Sequence, residues 1–481
     1  MPSKAYWKFA VKVFLLSIGF NIIISFEPWN VGLLFKGSVR QKTDDRLAVS
    51  GTEYPEGELL WCTLSDRSWG RVCKFRNLCY MHINGEFALF HGNTAKTGHE
   101  QDAQLLMGNR LIKDIVSLTS ALGAEFPFNL AHISIDNIVP GKVKYFNYRS
   151  GSYHLFHAFN VGNTAHAIHD DLLPVFYTLS RYDNLTEEPT STLIYWRELS
   201  LNKLMGFYQL FSQGKPISQN DLTFEPEESL TCFQDIIVGL STETLWYQWG
   251  LPGFEPEGAL KGSNATSSHI AKFTGYVRKR MGLPLRCPIA NDYGIIFIRK
   301  KTRLILNEEK LSEVLSKTLQ LEMRELSLEK NTIKEIIKTV SCAKVVVGLH
   351  GAMMIFSIFL PPSSFVLELY PYAINPLNFT PYKTAVELSG MDIEYRAWRN
   401  MNRSNTVTHP TEALHRGGIS HLSKKEQERI TNLTEIRPHQ CCQHPEVQFR
   451  LYQDTLIDIP SVVNILTNTQ FYKNRNGKFG T

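Results

Sequence analysis

Four titratable side chains, His166, His169, Asp170 and Asp171, stand within one short segment of the chain. Histidines three residues apart share one face of a helix, and acidic side chains near a helix start are favoured by its dipole. Such a His–Asp group can act as a general base on a hydroxyl group that lies within hydrogen-bond distance. The same residues allow two other interpretations. One is a metal site with His166, His169 and Asp170 as ligands, and the other is a helix cap for one aspartate beside a packed His166 ring.

A glycine turn between two apolar segments is the second motif with chemical potential. The β-branched run Val345–Val347 is followed by Gly348-Leu349-His350-Gly351-Ala352, and Phe365–Leu369 reads as another buried strand. With a helix over Ala352–Phe359, these pieces form a βαβ unit. Its turn presents backbone N–H groups where a phosphate can bind, although an ordinary crossover without a ligand has the same pattern.

A basic run, Arg299-Lys300-Lys301-Thr302-Arg303, comes at the end of a predicted strand from Gly294 to Arg299. Parallel sheets bind ligands at this carboxyl edge, and guanidinium groups match the oxygens of a diphosphate. The alternative is a solvated loop. No Asp-x-Asp metal-binding pair flanked by strand residues occurs, Asp392-x-Glu394 being the nearest approach. The sequence therefore predicts no required cofactor and no metal ligands, while leaving the use of a divalent cation open.

The elements that must position these residues alternate regularly. Beyond Gly294–Arg299, the pattern predicts a helix over Glu308–Leu319, a strand near Leu321–Leu326 and a helix over Thr332–Val340, ahead of the βαβ unit. This is the order of a doubly wound parallel sheet. Upstream, a second α/β lobe is predicted, and proline and glycine residues between 251 and 290 mark the boundary. We assign 61–285 to the N-terminal lobe and 286–400 to the second lobe.

The N-terminus predicts a membrane anchor. Lys4 and Lys8 precede the mostly apolar stretch Phe9–Phe26, which is short for a span and suits the thin bilayer of the endoplasmic reticulum. Basic residues on its N-terminal side favour a type II topology with a lumenal body. We therefore expect a cytoplasmic tail over 1–8, an anchor over 9–26 and a stem over 27–60. A cleaved signal peptide is the alternative, although no small-x-small cleavage site follows.

Other features agree with a lumenal protein. The eight cysteines are an even number, as expected in an oxidising compartment, but their pairing cannot be read from the sequence. The net charge of +5 is mild, and no basic cluster alternates with aromatic residues, which excludes nucleic acid as a partner. The sequence leaves the oligomeric state open, a homodimer included. Five sequons are candidate glycosylation sites: Asn184, Asn264, Asn378, Asn402 and Asn432.

A longer series of residues points to a family. The turn at Gly348–Ala352 continues into Val366-Leu367-Glu368-Leu369-Tyr370-Pro371, then Ala397-Trp398-Arg399-Asn400, and ends in Asn405-Thr406-Val407-Thr408-His409-Pro410. In this order the series resembles the donor-site signature of glycosyltransferase family 61. The resemblance implies a GT-B-like fold, α/β in class, in which two Rossmann-like lobes face a cleft behind an N-terminal transmembrane helix.

The resemblance also assigns roles. Arg303-Leu304-Ile305-Leu306-Asn307 matches the family pattern Arg-x-Ile-Leu-Asn, and His169, Asp170 and Asp171 are similar to its acceptor-side motif and are the candidate catalytic residues. Glu368, at the end of its strand, is expected to bind ribose hydroxyls, with a structural carboxylate as its alternative. Trp398 is expected to stack on the uracil or a sugar, with a core position as its alternative. The expected donor-binding residues are Arg299, Arg303, Asn307, His350, Gly351, Ala352, Glu368 and Trp398.

The function implied is inverting transfer of N-acetylglucosamine from UDP-GlcNAc to O-linked mannose on protein, in β-1,4 linkage. Alternatives are a family member with another acceptor or with xylose as its sugar, a non-catalytic carbohydrate-binding scaffold, and a metallohydrolase. Residues 401–481 read as a helical return segment ending in a disordered tail from Lys473. They leave no room for the fibronectin type III domain that the resemblance implies, so we expect weak discrimination between acceptor peptides.

Overall fold

The computed structural model describes residues 60–63, 68–91, 110–124, 126–134, 143–197, 202–251, 256–287, 292–437 and 444–477. The expected tail and anchor, nearly all of the stem, and Cys441 and Cys442 lie outside these ranges. Within them, every helix is too short or too polar to cross a bilayer.

A nine-stranded mixed sheet forms the first lobe, and its order is β4-β5-β3-β2-β9-β6-β7-β8, with β1 paired to β2. The strands β9, β6, β7 and β8 are parallel neighbours, whereas β2 runs antiparallel to β1, β3 and β9. The strands are β1 Leu60–Cys62, β2 Cys73–Met81, β3 Glu86–His91, β4 Arg110–Ser117, β5 Pro127–Ser134, β6 Tyr145–Phe156, β7 Ser191–Tyr195, β8 Ile217–Ser218 and β9 Ser229–Val238.

The expectation of a Rossmann-like first lobe is therefore met only in half of this sheet. The parallel half has the helical crossover between β6 and β7 that parallel pairing requires. The other half begins with the hairpin β2–β3, whose turn ends at Gly85 with a φ of +70°. Hairpins need only short turns, so this half is antiparallel at β2, and the lobe is a mixed α/β unit.

Most helices of the first lobe pack in one core cluster, whereas Leu222 of the short helix Gln219–Thr223 packs in another. The first crossover of the parallel half starts at Asn163, whose side chain accepts a hydrogen bond from the Ala165 N–H at 2.9 Å. One π-helical turn, Ala167–Leu172, interrupts that crossover. The helices are α1 Thr164–His166, α2 Leu173–Tyr182, α3 Met205–Tyr208, α4 Gln219–Thr223 and α5 Ser267–Arg280, with 3-10 turns at Asn202–Leu204 and Gln209–Phe211 and a small hairpin of β10 Tyr247–Gln248 and β11 Gly258–Ala259.

The second lobe is a five-stranded parallel sheet in the order β13-β12-β14-β15-β16. The predicted helix Glu308–Leu319 is confirmed at both ends. The predicted helix over Ala352–Phe359 is instead a 3-10 helix whose residues from Met353 onward are all buried. The elements are β12 Tyr293–Phe297, α6 Glu308–Leu319, β13 Glu322–Leu326, α7 Ile333–Val340, β14 Val345–Leu349, β15 Ser364–Tyr370, α8 Pro381–Val386 and β16 Ile393–Arg399.

The C-terminal residues return across the second lobe. The predicted disordered tail from Lys473 is wrong for residues 473–476, which belong to a helix over Gln470–Asn476. Arg475 in this helix makes an ion pair with Asp292 at 2.5 Å. The elements are β17 Thr406–Val407, α9 Lys424–Asn432, α10 Pro445–Leu451, β18 Asp454–Thr455, α11 Ile459–Thr467 and α12 Gln470–Asn476, with 3-10 turns at Arg403–Asn405 and Leu414–Arg416.

One hydrophobic core joins the two lobes. It contains Phe156 and Phe273 from the first lobe together with Val346, Phe356 and Tyr395 from the second. Because buried apolar surface is the dominant stabilising contribution, the lobes support each other. Three disulfides add local links among the described residues: Cys62–Cys73, Cys79–Cys232 and Cys287–Cys342.

Candidate active site

The carboxyl ends of β12 and β14 lie side by side at the point where the strand order of the second sheet reverses. Parallel sheets with helices on both faces bind ligands at this point, because the flanking loops diverge and leave a crevice. Arg299 comes two residues after β12, and His350 and Gly351 directly follow β14. The fold therefore brings the predicted basic loop to the predicted glycine turn.

Two guanidinium groups converge on Gly351. A Cβ atom at this position would lie 2.6 Å from Arg303 Nη1 and 2.8 Å from Arg299 Nη2. Only glycine leaves room there, and its φ of +149° also disfavours a side chain. Among the described residues, neither arginine has an acidic partner in an ion pair. Burial, with a contribution from the Arg303 charge, lowers the pKa of Arg299 to about 10. An anion bound here would offset the repulsion between the two guanidinium charges.

The C-terminal return fixes the loop that carries Arg303. The Arg303 backbone has a φ of +58°, and its guanidinium lies 4.1 Å from the centre of the Tyr452 ring. The next residue, Leu304, donates its N–H to Asp454 Oδ1 at 2.8 Å. The other carboxylate oxygen of Asp454 lies 2.9 Å from His409 Nε2. The position of Arg303 thus depends on residues about 150 positions away in the sequence.

Asn307 holds the same return segment in place. Its amide nitrogen donates to the Ile457 carbonyl and its amide oxygen accepts from the Ile457 N–H, both at 2.9 Å. Both ends of its amide therefore bond within the protein and are not presented to a nucleotide sugar. Asn307 still contributes to the wall of a cavity of about 540 Å³, which is lined by Arg299, Lys300, Leu304, Ile305, Leu306, Asn307, Glu308, Glu309 and Lys310.

Glu368 and Trp398 are not where the sequence interpretation expects them. The Glu368 side chain is 0% exposed, and its two oxygens contact His350 Nδ1 at 2.6 Å and the Tyr395 hydroxyl at 2.7 Å. It cannot reach a ribose hydroxyl from this position. Trp398 is buried in a core cluster, and its Nε1 donates to Ser461 Oγ at 2.6 Å. It packs against the C-terminal helix α11 rather than facing a ligand.

Asp170 is enclosed by three donors. Its oxygens lie 2.7 Å from His166 Nδ1 and 2.8 Å from His169 Nδ1, and Trp249 Nε1 donates to both at 3.0 Å. Burial alone would raise the pKa of Asp170, but the two histidines outweigh it and hold that pKa well below its usual range. Asp170 therefore remains a carboxylate that orients both imidazole rings.

Asp171 faces the protein interior. Its oxygens accept hydrogen bonds from the Phe159 N–H at 3.0 Å and from the Tyr208 hydroxyl at 2.5 Å. Burial raises the pKa of Asp171 to about 7. Since both contacts hold the chain around the helix start, Asp171 is an anchor of the fold.

The helical turn that carries His166 contacts the second lobe. Thr164, two residues earlier, donates its hydroxyl to the carbonyl of Ala352 at 3.2 Å, which brings the first turn of α1 against the glycine turn. The side chain of His166 is 7% exposed, compared with 1% for His169. Both rings pack edge-on against a tryptophan, His166 against Trp249 at 4.5 Å and His169 against Trp246 at 4.4 Å between ring centres, but His169 Nε2 already accepts a hydrogen bond from the Trp246 N–H at 3.4 Å. The structure therefore makes His166, which the sequence interpretation ranked behind His169, the stronger candidate base.

The metal-site interpretation of these residues finds no support in the geometry. The Nδ1 atoms of His166 and His169 face the oxygens of Asp170 at hydrogen-bond distances, so the three side chains bind one another. Across the described ranges, no three His, Cys, Asp or Glu side chains are grouped so that they could hold a metal ion.

Several site residues had no sequence signal that identified them. Trp249, Tyr208, Tyr452 and Asp454 contact the predicted residues but lie far from them in the chain. Only the aromatic cluster Trp246-Tyr247-Gln248-Trp249 is unusual enough to be noticed in the sequence. Four of the five sequons, at Asn184, Asn264, Asn402 and Asn432, are exposed, and Asn378 is half-buried.

Comparison with known proteins gives a consistent result. The glycosyltransferase 61 family model matches residues 165–367. The chain is 35% identical over 410 residues to the mouse protein O-linked-mannose beta-1,4-N-acetylglucosaminyltransferase 2, with 82% of this chain and 66% of the relative aligned. The proteins of the same name in Takifugu rubripes and Xenopus laevis are 32% and 33% identical, over 82% and 83% of this chain and 67% of each relative.

Among solved structures, the chain is similar to a bacterial iron-containing dodecameric glycosyltransferase, TibC from enterotoxigenic E. coli. The sequences are 12% identical, the alignment covers 68% of this chain and 80% of the other, and the TM-score is 0.26. A score this low does not establish a common fold.

Proposed function

Because the chain belongs to glycosyltransferase family 61, we propose that it transfers N-acetylglucosamine from UDP-GlcNAc to O-linked mannose on protein, in β-1,4 linkage. The observation that carries the proposal is the arginine pair, Arg299 and Arg303, which meets at Gly351 on the carboxyl edge of the second sheet. The sugar and the linkage are taken from the names of the relatives. The alignment with this chain covers 66% of the length of the mouse protein.

In the proposed GT-B-like arrangement, the diphosphate of the donor binds the arginine pair. Breaking the bond between the anomeric carbon and the diphosphate leaves an electron pair on a phosphate oxygen. Preoriented cationic groups stabilise that developing charge, most strongly where water is excluded. Arg299 is held by burial and Arg303 by the Tyr452 ring, so neither side chain needs to reorganise during the reaction.

On the acceptor side, we assign His166 as the general base. A hydrogen bond from Nδ1–H to Asp170 fixes the tautomer in which Nε2 carries the basic electron pair. Nε2 would take the proton of the acceptor hydroxyl as its oxygen attacks the anomeric carbon opposite the leaving UDP. Attack from that side inverts the configuration, so an α-linked donor gives a β-linked product.

The proposal is tested by transfer from UDP-GlcNAc to O-mannosylated peptides, with unmannosylated peptides, O-GlcNAc-modified peptides and UDP-xylose as alternative substrates. We expect transfer only to the mannosylated peptide and only from UDP-GlcNAc. Transfer to O-GlcNAc alone, or from UDP-xylose alone, would assign a different family activity. Binding of donor without turnover would indicate a carbohydrate-binding scaffold.

Arg303→Ala tests the site itself. We expect the KM for UDP-GlcNAc to rise and kcat to fall about 10²-fold or more, because the side chain meets both the bound and the departing diphosphate. Lys301→Ala is the matched control, since Lys301 is an exposed cation in the same loop. Equal values of KM and kcat in the two variants would show that the diphosphate does not bind at Arg303.

For localisation, we propose a type II protein of the endoplasmic reticulum membrane with a lumenal body. The basic and apolar residues at the N-terminus support the anchor, and the three disulfides are typical of an oxidising compartment. Protease added to sealed microsomes should spare the protein after residue 27. Digestion of the body to small fragments would contradict this topology.

A further inference from the structure

A cavity of about 410 Å³ lies in the first lobe beside the small hairpin β10–β11. Small-molecule pockets in proteins begin at about 300 Å³, so there is room for at least one sugar ring. The lining combines apolar residues, among them Trp69, Leu122 and Leu260, with polar residues, among them Thr242 and Ser263. This mixture suits a pyranose, whose ring has apolar C–H faces and a polar edge.

Trp69 is held in place where it lines the cavity. Its Nε1 donates a hydrogen bond to the Ser120 carbonyl at 3.0 Å, and the residue is half-buried. The next residue, Gly70, packs so closely that a Cβ atom there would lie 2.6 Å from Thr242 Oγ1. A fixed aromatic ring that is not fully enclosed offers an apolar surface to a sugar at little cost in conformational entropy.

Asn264 lines the same cavity and is also exposed, and it begins the sequon Asn264-Ala265-Thr266. Within the described part of the chain, no hydrogen bond engages its side-chain amide. The backbone on both sides of it is fixed, because Ser263 Oγ donates to the Leu245 carbonyl and accepts from the Ala265 N–H at 3.1 Å. A group attached to the Asn264 amide therefore starts at the cavity.

We propose that the first N-acetylglucosamine of an N-linked glycan on Asn264 occupies this cavity and packs on Trp69. This inference rests on the lumenal location proposed above. In the attachment, the asparagine amide nitrogen bonds to C1 of the sugar of a lipid-linked diphosphate oligosaccharide. The lipid diphosphate departs with the electron pair of the broken C1–O bond, and the amide loses one proton.

The covalent tether favours this sugar over a ligand from solution. A group on a short linker meets its site at an effective concentration in the millimolar range, so even a weak contact keeps the cavity occupied. Occupation also supports the candidate active site. The Leu260 N–H donates to the Trp246 carbonyl at 2.9 Å, and the Trp246 N–H donates to His169 Nε2 at 3.4 Å. The docked sugar thus braces the segment that contacts the His–Asp group.

The first experiment follows glycan release from the folded protein by a peptide N-glycosidase, with occupancy of each sequon read by mass spectrometry. A docked first sugar shields its amide linkage, so we expect release at Asn264 to be about tenfold slower than at the exposed Asn184 and Asn402. Rates in the denatured protein correct for intrinsic differences among the sequons. Equal corrected rates at the three positions would overturn the proposal.

Trp69→Leu and Trp69→Phe test the contact with the ring. Leucine removes the aromatic surface, so release at Asn264 should become as fast as at Asn184. Phenylalanine keeps an aromatic surface but not the hydrogen bond to Ser120, and it should retain most of the protection. Equally slow release in both variants would show that the concave surroundings alone hinder the glycosidase, which would overturn the contact with Trp69.

Hydrogen exchange tests the same contact without changing Trp69. An endoglycosidase that leaves one N-acetylglucosamine on each asparagine gives the trimmed wild-type protein. We expect its amides at residues 258–264 to exchange about tenfold more slowly than those of Asn264→Gln. Asn402→Gln is the matched control and should exchange like the wild type in this segment. Equal exchange in the trimmed wild type and in Asn264→Gln would contradict docking of the first sugar.

Occupancy of the sequons separates this inference from the proposals on which it rests. If Asn184 and Asn402 carry glycans and Asn264 carries none, the inference is overturned and the lumenal location stands. If none of the sequons is modified, the location and the inference are overturned together. The proposed transfer from UDP-GlcNAc is measured separately and does not depend on either result.

Discussion

Asp170 and Asp171 are neighbours in the chain, yet their surroundings move their pKa values in opposite directions. Burial acts on both, but only Asp170 has two imidazole groups against its oxygens, and they lower its pKa. Asp171 has neutral donors, so burial prevails and raises its pKa to about 7. One carboxylate orients the candidate base, and the other holds the fold.

Substitution of Asp171 separates these roles. In Asp171→Asn, the amide oxygen can accept from Phe159 and the amide nitrogen can donate to the Tyr208 oxygen, so we expect little change in Tm or kcat. Asp171→Ala leaves the Phe159 N–H and the Tyr208 hydroxyl without their acceptor and should lower the free energy of unfolding by about 1–3 kcal/mol. Thermal melts and transfer assays at pH 7 measure both effects. A large loss of kcat in a stable Asp171→Asn would return Asp171 to the catalytic group.

The burial of His154 predicts that the folded protein loses stability as the pH falls. This residue is fully buried, and burial lowers its pKa to about 4, with smaller opposing contributions from the Gly239 carbonyl and the Asp183 charge. Between pH 6.5 and about 4, the unfolded chain binds a proton that the folded protein excludes, so stability falls as the pH falls. The loss amounts to roughly 3 kcal/mol at the lower end of that window.

The measurement is the difference in Tm between pH 7 and pH 4.5 for the wild type and for His154→Gln. The variant should show a smaller difference, because it removes this titration while Asp171, which acts in the opposite direction, is unchanged. His415→Gln, at an exposed position, is the control. An equal pH dependence in wild type and His154→Gln would contradict the prediction.

At the scale of elements, the short strand β18 and the residues beside it complete the donor loop. Tyr452 supports Arg303, Asp454 accepts from Leu304, and Asn307 binds Ile457 through both ends of its amide. The proposed diphosphate site is therefore built by three separate parts of the chain: the loop after β12, the turn after β14, and the C-terminal return.

Tyr452→Leu tests this dependence. Loss of the aromatic face should weaken the orientation of Arg303 and raise the Kd for UDP by about 2–30-fold, the range that follows from a cation–π contact of roughly 0.5–2 kcal/mol. The KM for the acceptor should not change. Tyr472→Phe, in helix α12, is the matched control. Calorimetric titration with UDP gives the result, and an unchanged Kd would show that the loop holds Arg303 alone.

Sequence reasoning performs best where local pattern determines structure. The helix Glu308–Leu319 and the strands around Val345–Leu349 and Phe365–Leu369 have the expected periodicity, and the structure confirms them. Arg299 and Arg303 follow a strand end and Gly351 lies in a glycine turn, but a solvated loop fits the basic run equally well, and only the family resemblance assigns the arginines to the diphosphate; the structure brings all three residues together. Family membership is confirmed by the comparisons.

Contacts between segments that lie far apart in the sequence cannot be predicted from local sequence patterns. Glu368 at a strand end suggested a ribose contact, but Tyr395 on the neighbouring strand and His350 occupy its oxygens. Trp398 has the residue type of a stacking platform, yet α11 covers it. The antiparallel pairing of β2 with β3 and β9 was not predicted, because the residue pattern of a single buried strand does not give the direction of its neighbours.

At the scale of the whole molecule, the common core predicts one cooperative unfolding transition. Phe273 of the first lobe contacts Phe359 of the second at 6.4 Å between ring centres, and Trp246 donates to the Pro381 carbonyl across the same boundary at 2.9 Å. Independent lobes would melt separately, whereas lobes that share a core lose most of it together.

The test is denaturant unfolding followed by two probes. One single-tryptophan variant should retain Trp246 as a reporter of the first lobe, and another should retain Trp398 in the second. We expect coincident transitions, and Phe273→Ala should shift both by about 3–5 kcal/mol in the free energy of unfolding. Two transitions separated along the denaturant axis would show that the lobes are independent.

The common core also means that the first lobe cannot complete its packing until the second lobe has been synthesised. The helices around Leu172 and Phe176 leave the ribosome long before Val346 and Tyr395, which belong to the same core. At 5–20 residues per second, the interval lasts on the order of 10–40 s. During it the nascent first lobe exposes an apolar face to chaperones and to other chains. Substitutions on the second lobe's side of this core should therefore reduce the amount of protein that leaves quality control even where the purified enzyme keeps its turnover.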